Sequence, residues 1–99
     1  MPTAYITCPE SIAEELAYEL VDEGHCACVN LLDCRSVYRW DDSVQTDEEV
    51  ILLAKTTDEN YQPLVEAVCE RHPYDIPCIE RFEDAPIEPF AAWRKEATN

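Results

Sequence analysis

Glycine is almost missing from this chain: Gly24 is the only one in 99 residues. That excludes the glycine-rich loops that cradle phosphates and dinucleotides. Lysine is nearly as scarce, with Lys55 and Lys95 alone, and seven basic residues face 22 acidic ones, a formal charge of −15 at pH 7. A field of that sign repels phosphate backbones and anionic lipid, so nucleic-acid and membrane roles are excluded. Long apolar runs are also absent. The run 50–54 is far short of the roughly 20 residues that span a bilayer, and Met1-Pro2-Thr3 opens no cationic, apolar leader. The chain is therefore expected to be cytoplasmic. It has no nucleophile elbow and no metalloprotease motif, which predicts a non-enzyme.

What is present is enough for one domain, residues 1–99. At 11.4 kDa with 46% hydrophobic residues, the chain can bury roughly two-thirds of its unfolded surface around a single core. Acidic residues recur in every segment instead of forming a tail. Self-repulsion of that kind is relieved when molar salt shortens the screening length to about 3 Å, which predicts a halophilic, salt-rich setting, the rival readings being a docking surface for a basic partner or a low-affinity cation sponge. Six cysteines stand at 8, 26, 28, 34, 69 and 78. Without Cys-x-x-Cys there is no zinc ribbon or thioredoxin-like motif, and in a reducing compartment free thiols behave as small apolar residues. Cys26-Ala27-Cys28 would place two thiols on one strand face.

Residues 4–8 read as a first strand stopped by Pro9. Over 10–23, Ile12, Ala13, Leu16, Ala17, Leu20 and Val21 recur at helical spacing and Gly24 supplies the stop. Residues 26–32 and 36–40 read as one long, interrupted strand, Asp41-Asp42-Ser43 as a turn, and 44–56 as the return strand. A second helix follows, with Tyr61, Leu64, Val65, Val68 and Cys69 facing inward, Thr57 or Asn60 as N-cap, and Pro63 in or near the first turn. It ends at Arg71 or His72, because Pro73 disfavours helix before it. Residues 76–82 are expected as an edge strand holding Pro77, and 88–97 as a short terminal helix carrying Phe90 and Trp93. The order predicts an α+β, ferredoxin-like βαββαβ sandwich with a long central hairpin and a short C-terminal helix.

The corner His72-Pro73-Tyr74-Asp75-Ile76-Pro77, together with Ala27-Cys28-Val29-Asn30, Ser36-Val37-Tyr38-Arg39-Trp40, Lys55-Thr56 and Phe90-Ala91-Ala92-Trp93, resembles the CutA divalent-cation tolerance family over nearly the whole chain. The resemblance implies a compact homotrimer whose hairpins cross between subunits, and a part in divalent-metal tolerance. The chain departs from the family pattern at His25-Cys26, at Asp42 in the hairpin turn, near Asp33-Cys34, which looks about one residue short, and at Cys78 in place of glutamate. A thiol there exchanges a hard oxygen for a soft donor.

Two chemistries remain open. His72 with Cys28, the cysteine matched through the resemblance, would suit a divalent metal, copper first. Against that, His72 caps a helix C-terminus and Cys28 is a strand thiol. Lys55, on the strand face of Ile51 and Leu53, would be partly buried against a carboxylate such as Asp75. Together with Tyr38, Trp40, Tyr74 and Trp93 these residues either line an intersubunit cleft for a small anion or metabolite or serve as core and interface aromatics. His25 reads as a solvated loop residue.

Overall fold

The computed structural model describes all 99 residues. Strand β1 (Pro2–Cys8) is followed by helix α1 (Glu10–Asp22), strands β2 (Cys28–Trp40) and β3 (Ser43–Lys55), helix α2 (Asp58–Arg71), strand β4 (Ile79–Glu83) and helix α3 (Glu88–Glu96). One antiparallel sheet has the order β2-β3-β1-β4. This is the expected ferredoxin-like α+β arrangement.

The core lies on one side of that sheet. Ala4, Ile6 and Cys8 of β1 stand beside Val50, Leu52 and Ala54 of β3, and all pack against Ala13, Leu16 and Leu20 of α1 and Leu64, Ala67 and Val68 of α2. Period-two alternation sends the other set to the opposite face. Tyr5 and Thr7 of β1, Ile51 and Leu53 of β3, and Leu32 of β2 lie on this second face, together with Phe82 across from Thr3. Neither long helix covers it.

Helix α1 closes with a Schellman arrangement. Gly24 sits at φ +77°, its N–H donates to Val21 O at 3.0 Å, and the His25 N–H donates to Leu20 O at 2.9 Å. A Cβ at position 24 would also meet the Asn99 side chain at 2.2 Å. The left-handed φ favours glycine there, whereas the Asn99 contact is with the flexible end of a side chain that can shift aside. Thr57 is the N-cap of α2, accepting from the Asn60 N–H at 3.3 Å.

Several expectations need correction. β2 is continuous, because Asp33, Cys34 and Arg35 pair with Val50, Glu49 and Glu48; their polarity marks an exposed ribbon, not a break in the ladder. The hairpin turns at Asp41 and Asp42, both left-handed at φ 50° and 60°, as a two-residue primed turn requires. Aspartate tolerates that region better than most side chains. β4 begins at Ile79, not at residue 76, so Pro77 stays outside the ladder it would interrupt. Pro63 lies inside α2, beyond its first turn. Cys69 is exposed and Val21 is 39% exposed, because Ala67 and Leu20 take the inward positions beside them. No helix is long and apolar enough to cross a membrane.

Candidate functional site

His72 caps the C-terminus of α2 and is buried. Its Nδ1 accepts the Tyr74 backbone N–H at 3.2 Å, which assigns the proton to Nε2, and Nε2 donates to Thr7 O at 2.8 Å. Both ring nitrogens are thus engaged. Cys28 is remote from this corner. Thr7 stands beside Ile51 and Ile51 beside Leu32, so Cys28 lies two strands across and four residues along, roughly 13 Å in the strand direction. The expected pairing of imidazole and thiolate is not formed within one subunit, and no group of three or more His, Cys, Asp or Glu is placed to hold a metal ion.

Four of the other predicted residues do come together. Tyr38 and Trp40 from β2, and Tyr74 and Asp75 from the α2–β4 corner, line one open groove of about 630 Å³. The two-residue turn holds the aromatic ribbon of β2 in place from one side. Pro73 and the His72 contacts hold the corner from the other. Between them sits Glu49, only 6% exposed, accepting the Tyr74 hydroxyl at 3.1 Å. Burial and that carboxylate push the Tyr74 phenol up to about 12. Its ring centroid lies 4.7 Å from that of His72. The Tyr38 hydroxyl donates to Asp47, and chiefly through that bond its phenol is also held above the ordinary range. Cys78 and Glu80 complete the β4 wall, and burial pushes the Cys78 thiol up.

Lys55 and Trp93 lie outside the groove. Lys55 pairs with Cys28 and Thr3 at the opposite end of the sheet, where Nζ donates to Asn30 Oδ1 at 3.1 Å; the expected contact with Asp75 is not made. Trp93 packs on Phe90 of its own helix, centroids 5.5 Å apart. His25 is not a solvated loop residue: its side chain is 17% exposed, with Nε2 3.4 Å from Glu23 Oε1 and Nδ1 buried without a partner.

Two important residues were not legible as such in the sequence. Glu49 belongs to the acidic run Asp47-Glu48-Glu49, and only its alternation with Ile51 and Leu53 signals a different setting. Arg94 follows Trp93 in what reads as a surface helix, yet it is 1% exposed. It joins α3 to Asp84, Thr56 O and Pro2 O.

Residues 3–97 match the profile of the CutA1 divalent ion tolerance protein family. Along 100 residues the chain is 35% identical to the divalent-cation tolerance protein CutA of Pyrococcus horikoshii, covering 99% of this chain and 98% of that one. The chain belongs to the CutA1 family.

Solved CutA1-family structures superpose closely on this chain. The PII-like protein CutA from Nostoc sp., in apo form, gives a TM-score of 0.96 at 31% identity, covering 100% of this chain and 98% of that one. The divalent cation tolerance protein from Thermus thermophilus gives 0.93 at 37% identity, with both chains covered in full at 100%. Family membership accounts for the backbone.

Proposed function

We propose that this CutA1-family chain is the subunit of a cytoplasmic homotrimer that serves divalent-cation tolerance as a non-catalytic binder. The observation that carries this reading is the bare second face of the sheet, continued by a hairpin that has no third strand. β1 pairs with β3 only from Val50 to Lys55, so β3 residues 43–49 pair with β2 alone. An isolated two-stranded ribbon is marginal in water. On it Val37 is 70% and Val44 63% exposed, and Leu32 on the bare face is 45% exposed. A copy laid across that face would bury Leu32, a copy against the reverse side of the ribbon would bury Val37 and Val44, and pairing along the ribbon would supply its missing third strand. Sedimentation in molar KCl should report three times the 11.4 kDa subunit mass; a folded monomer overturns the trimer.

Copper is the metal this reading puts first, held weakly. Cys28 is its soft donor, and His72 joins only when its Nδ1 releases the Tyr74 N–H. Because one subunit brings no cluster together, the remaining ligands come from a neighbouring copy. Calorimetric titration tests this directly. Loss of copper heat in a His72→Ala, Cys28→Ser variant supports the assignment, and unchanged heat removes it.

A second reading is favoured by the groove itself. Tyr38, Trp40, Tyr74 and Asp75 converge on a cavity whose volume falls in the range that small-molecule sites occupy, about 300–1,000 Å³. In that reading the trimer senses a small ligand and needs no specific metal site. Lys55 and Trp93 take no part in it.

A further inference from the structure

The hairpin ribbon carries one cation that nothing in its own subunit answers. Of the five arginines, Arg71, Arg81 and Arg94 are ion-paired. Arg35 stands opposite Glu48, a carboxylate that offsets its charge across the ladder. Arg39 stands opposite Val44 and is exposed. On the same side of the ribbon its neighbours are Val37 and Val44, two of the most exposed apolar residues of the chain. In a chain with 22 acidic residues, an arginine set between two bare valines is placed for a surface outside the subunit.

The second face of the sheet has the opposite deficit. Glu49 is 6% exposed and accepts the Tyr74 hydroxyl, but no basic side chain stands with it, Asp75 and Glu80 along the groove. A carboxylate taken out of water without a cation is costly. Tyr38, Trp40 and Tyr74 line the same space, and aromatic rings attract cations over their faces. Both phenols donate to carboxylates, so neither offers its proton to the groove.

Arg39 cannot serve its own groove. Strand alternation sends Tyr38 and Trp40 to the second face and Arg39 to the reverse side, with the ribbon between them. The arginine of another copy can reach it. When the reverse side of one ribbon lies on the second face of the next subunit, Val37, Val44 and Leu32 leave water in one contact and the two charge deficits cancel. That contact joins two different surfaces, so it is heterologous and closes only as a ring.

The remaining cations suit the groove less well. Lys95 lies in the last turn of α3, where a positive charge favours the free carbonyls of its own helix. Lys55 is at the far end of the sheet, on Asn30. An ammonium also lacks the planar fork that both stacks on a ring and meets a carboxylate with two bonds.

We infer that Arg39 of a second copy occupies the groove between the β2–β3 hairpin and the 73–76 corner, stacked on Trp40 and charge-paired with Glu49. The site is then complete only in the assembled protein. The inference rests on the trimer reading above and leaves no room in this groove for a small ligand.

The test is sedimentation of the full chain through a dilution series in molar KCl, read as the concentration at which half the assembly dissociates. Arg39→Gln should raise that concentration at least about tenfold, because a charge left buried without its partner is strongly unfavourable. Unfolding of the dissociated subunit should be unchanged, and Arg39→Lys should recover little of the assembly. Glu49→Gln, whose amide oxygen still accepts the Tyr74 hydroxyl, should raise it too, and the double variant should go no further than the larger single change. Exposed positions supply a second arm that a folding defect at Glu49 does not reach. Arg39→Glu and Asp75→Lys should each weaken assembly, and together they should restore part of it. If the protein assembles but is indifferent to Arg39→Gln, if the Arg39 and Glu49 effects simply add, or if the charge swap restores nothing, the inference is overturned and the trimer stands. A wild-type chain that stays monomeric overturns both.

Discussion

Arg94 donates to both carboxylate oxygens of Asp84, at 2.7 and 3.2 Å. The same guanidinium donates to Pro2 O at 2.6 Å and to Thr56 O at 2.9 Å, so one side chain fastens the terminal helix to the first strand and to the entry of α2. Removing one partner of a buried charge pair costs about 3–5 kcal/mol. Because the Asp84 side chain is 30% exposed and water can reach it, Arg94→Ala should fall at about 3 kcal/mol, near the lower end of that range. For a domain of this size that is a fall in unfolding temperature of roughly 12–24 °C. Arg94→Lys should recover little of it, since a compact ammonium cannot reproduce the planar fork that reaches all three partners. Thermal and urea unfolding of the two variants measure both statements.

The same pair sets an acid limit. Burial pushes the Asp84 carboxyl up, but hydrogen bonds from Arg94 and Thr3 outweigh it, and the net position is below the ordinary value of 3.8. A depressed folded-state value means that the unfolded chain binds the proton more readily, so stability rises with pH across the interval between the two values. The contribution is fully present above the ordinary carboxyl range and disappears as pH falls through the folded value. The stability gap between the wild type and Asp84→Asn should therefore be constant from pH 7 down to about 5 and shrink below about 4. A gap that widened on acidification would contradict this sign.

Thiol chemistry should divide the six cysteines by burial. Burial pushes Cys26 up to about 12 and Cys8 up to about 11, whereas Cys69 is exposed. The thiolate is the attacking species. At pH 8 an aromatic disulfide reagent should label Cys69 within the fastest phase and reach Cys8 and Cys26 only when the domain is unfolded. Mass spectrometry of partially labelled protein resolves the order. Early modification of Cys26 would mean that the loop before β2 opens far more readily than its buried contacts indicate.

The parts of the molecule that were legible in the sequence are those where one periodicity dominates. α1 could be read from Leu16, Ala17 and Leu20, and its end from Gly24, because spacing and cap agree. β2 was harder to read. Its run Asp33-Cys34-Arg35 looks like a break, and it is continuous only because Glu48, Glu49 and Val50 pair with it, a long-range relation no local signal carries. The same limit governs the groove. Tyr74 and Asp75 stand out beside two prolines, and Tyr38 and Trp40 alternate on one strand face, but their meeting depends on how far the hairpin reaches past the sheet. Arg94 shows the reverse case, a charged residue on a short helix whose burial is set by Asp84 and by two carbonyls, one of them 92 residues away in sequence.

Salt should stabilise this protein more than it stabilises an ordinary domain. The formal charge is −15 on 99 residues, and the ion pairs found involve only the N-terminal amine, His25 and three arginines, leaving most carboxylates uncompensated. At 0.1 M salt the screening length is about 10 Å, long enough for neighbouring carboxylates to repel, and at 1 M it is about 3 Å. Raising KCl from dilute to molar should therefore raise the unfolding temperature, and the rise should be steeper in the proposed trimer, where three subunits would share one field. Salt also weakens Arg71–Glu23 and Arg81–Asp58, but exposed pairs of this kind contribute only about 0–1 kcal/mol each, so relief of repulsion outweighs their loss. An unfolding temperature that fell with KCl would show that the acidic surface is matched to a bound cationic partner and not to a salt-rich solvent.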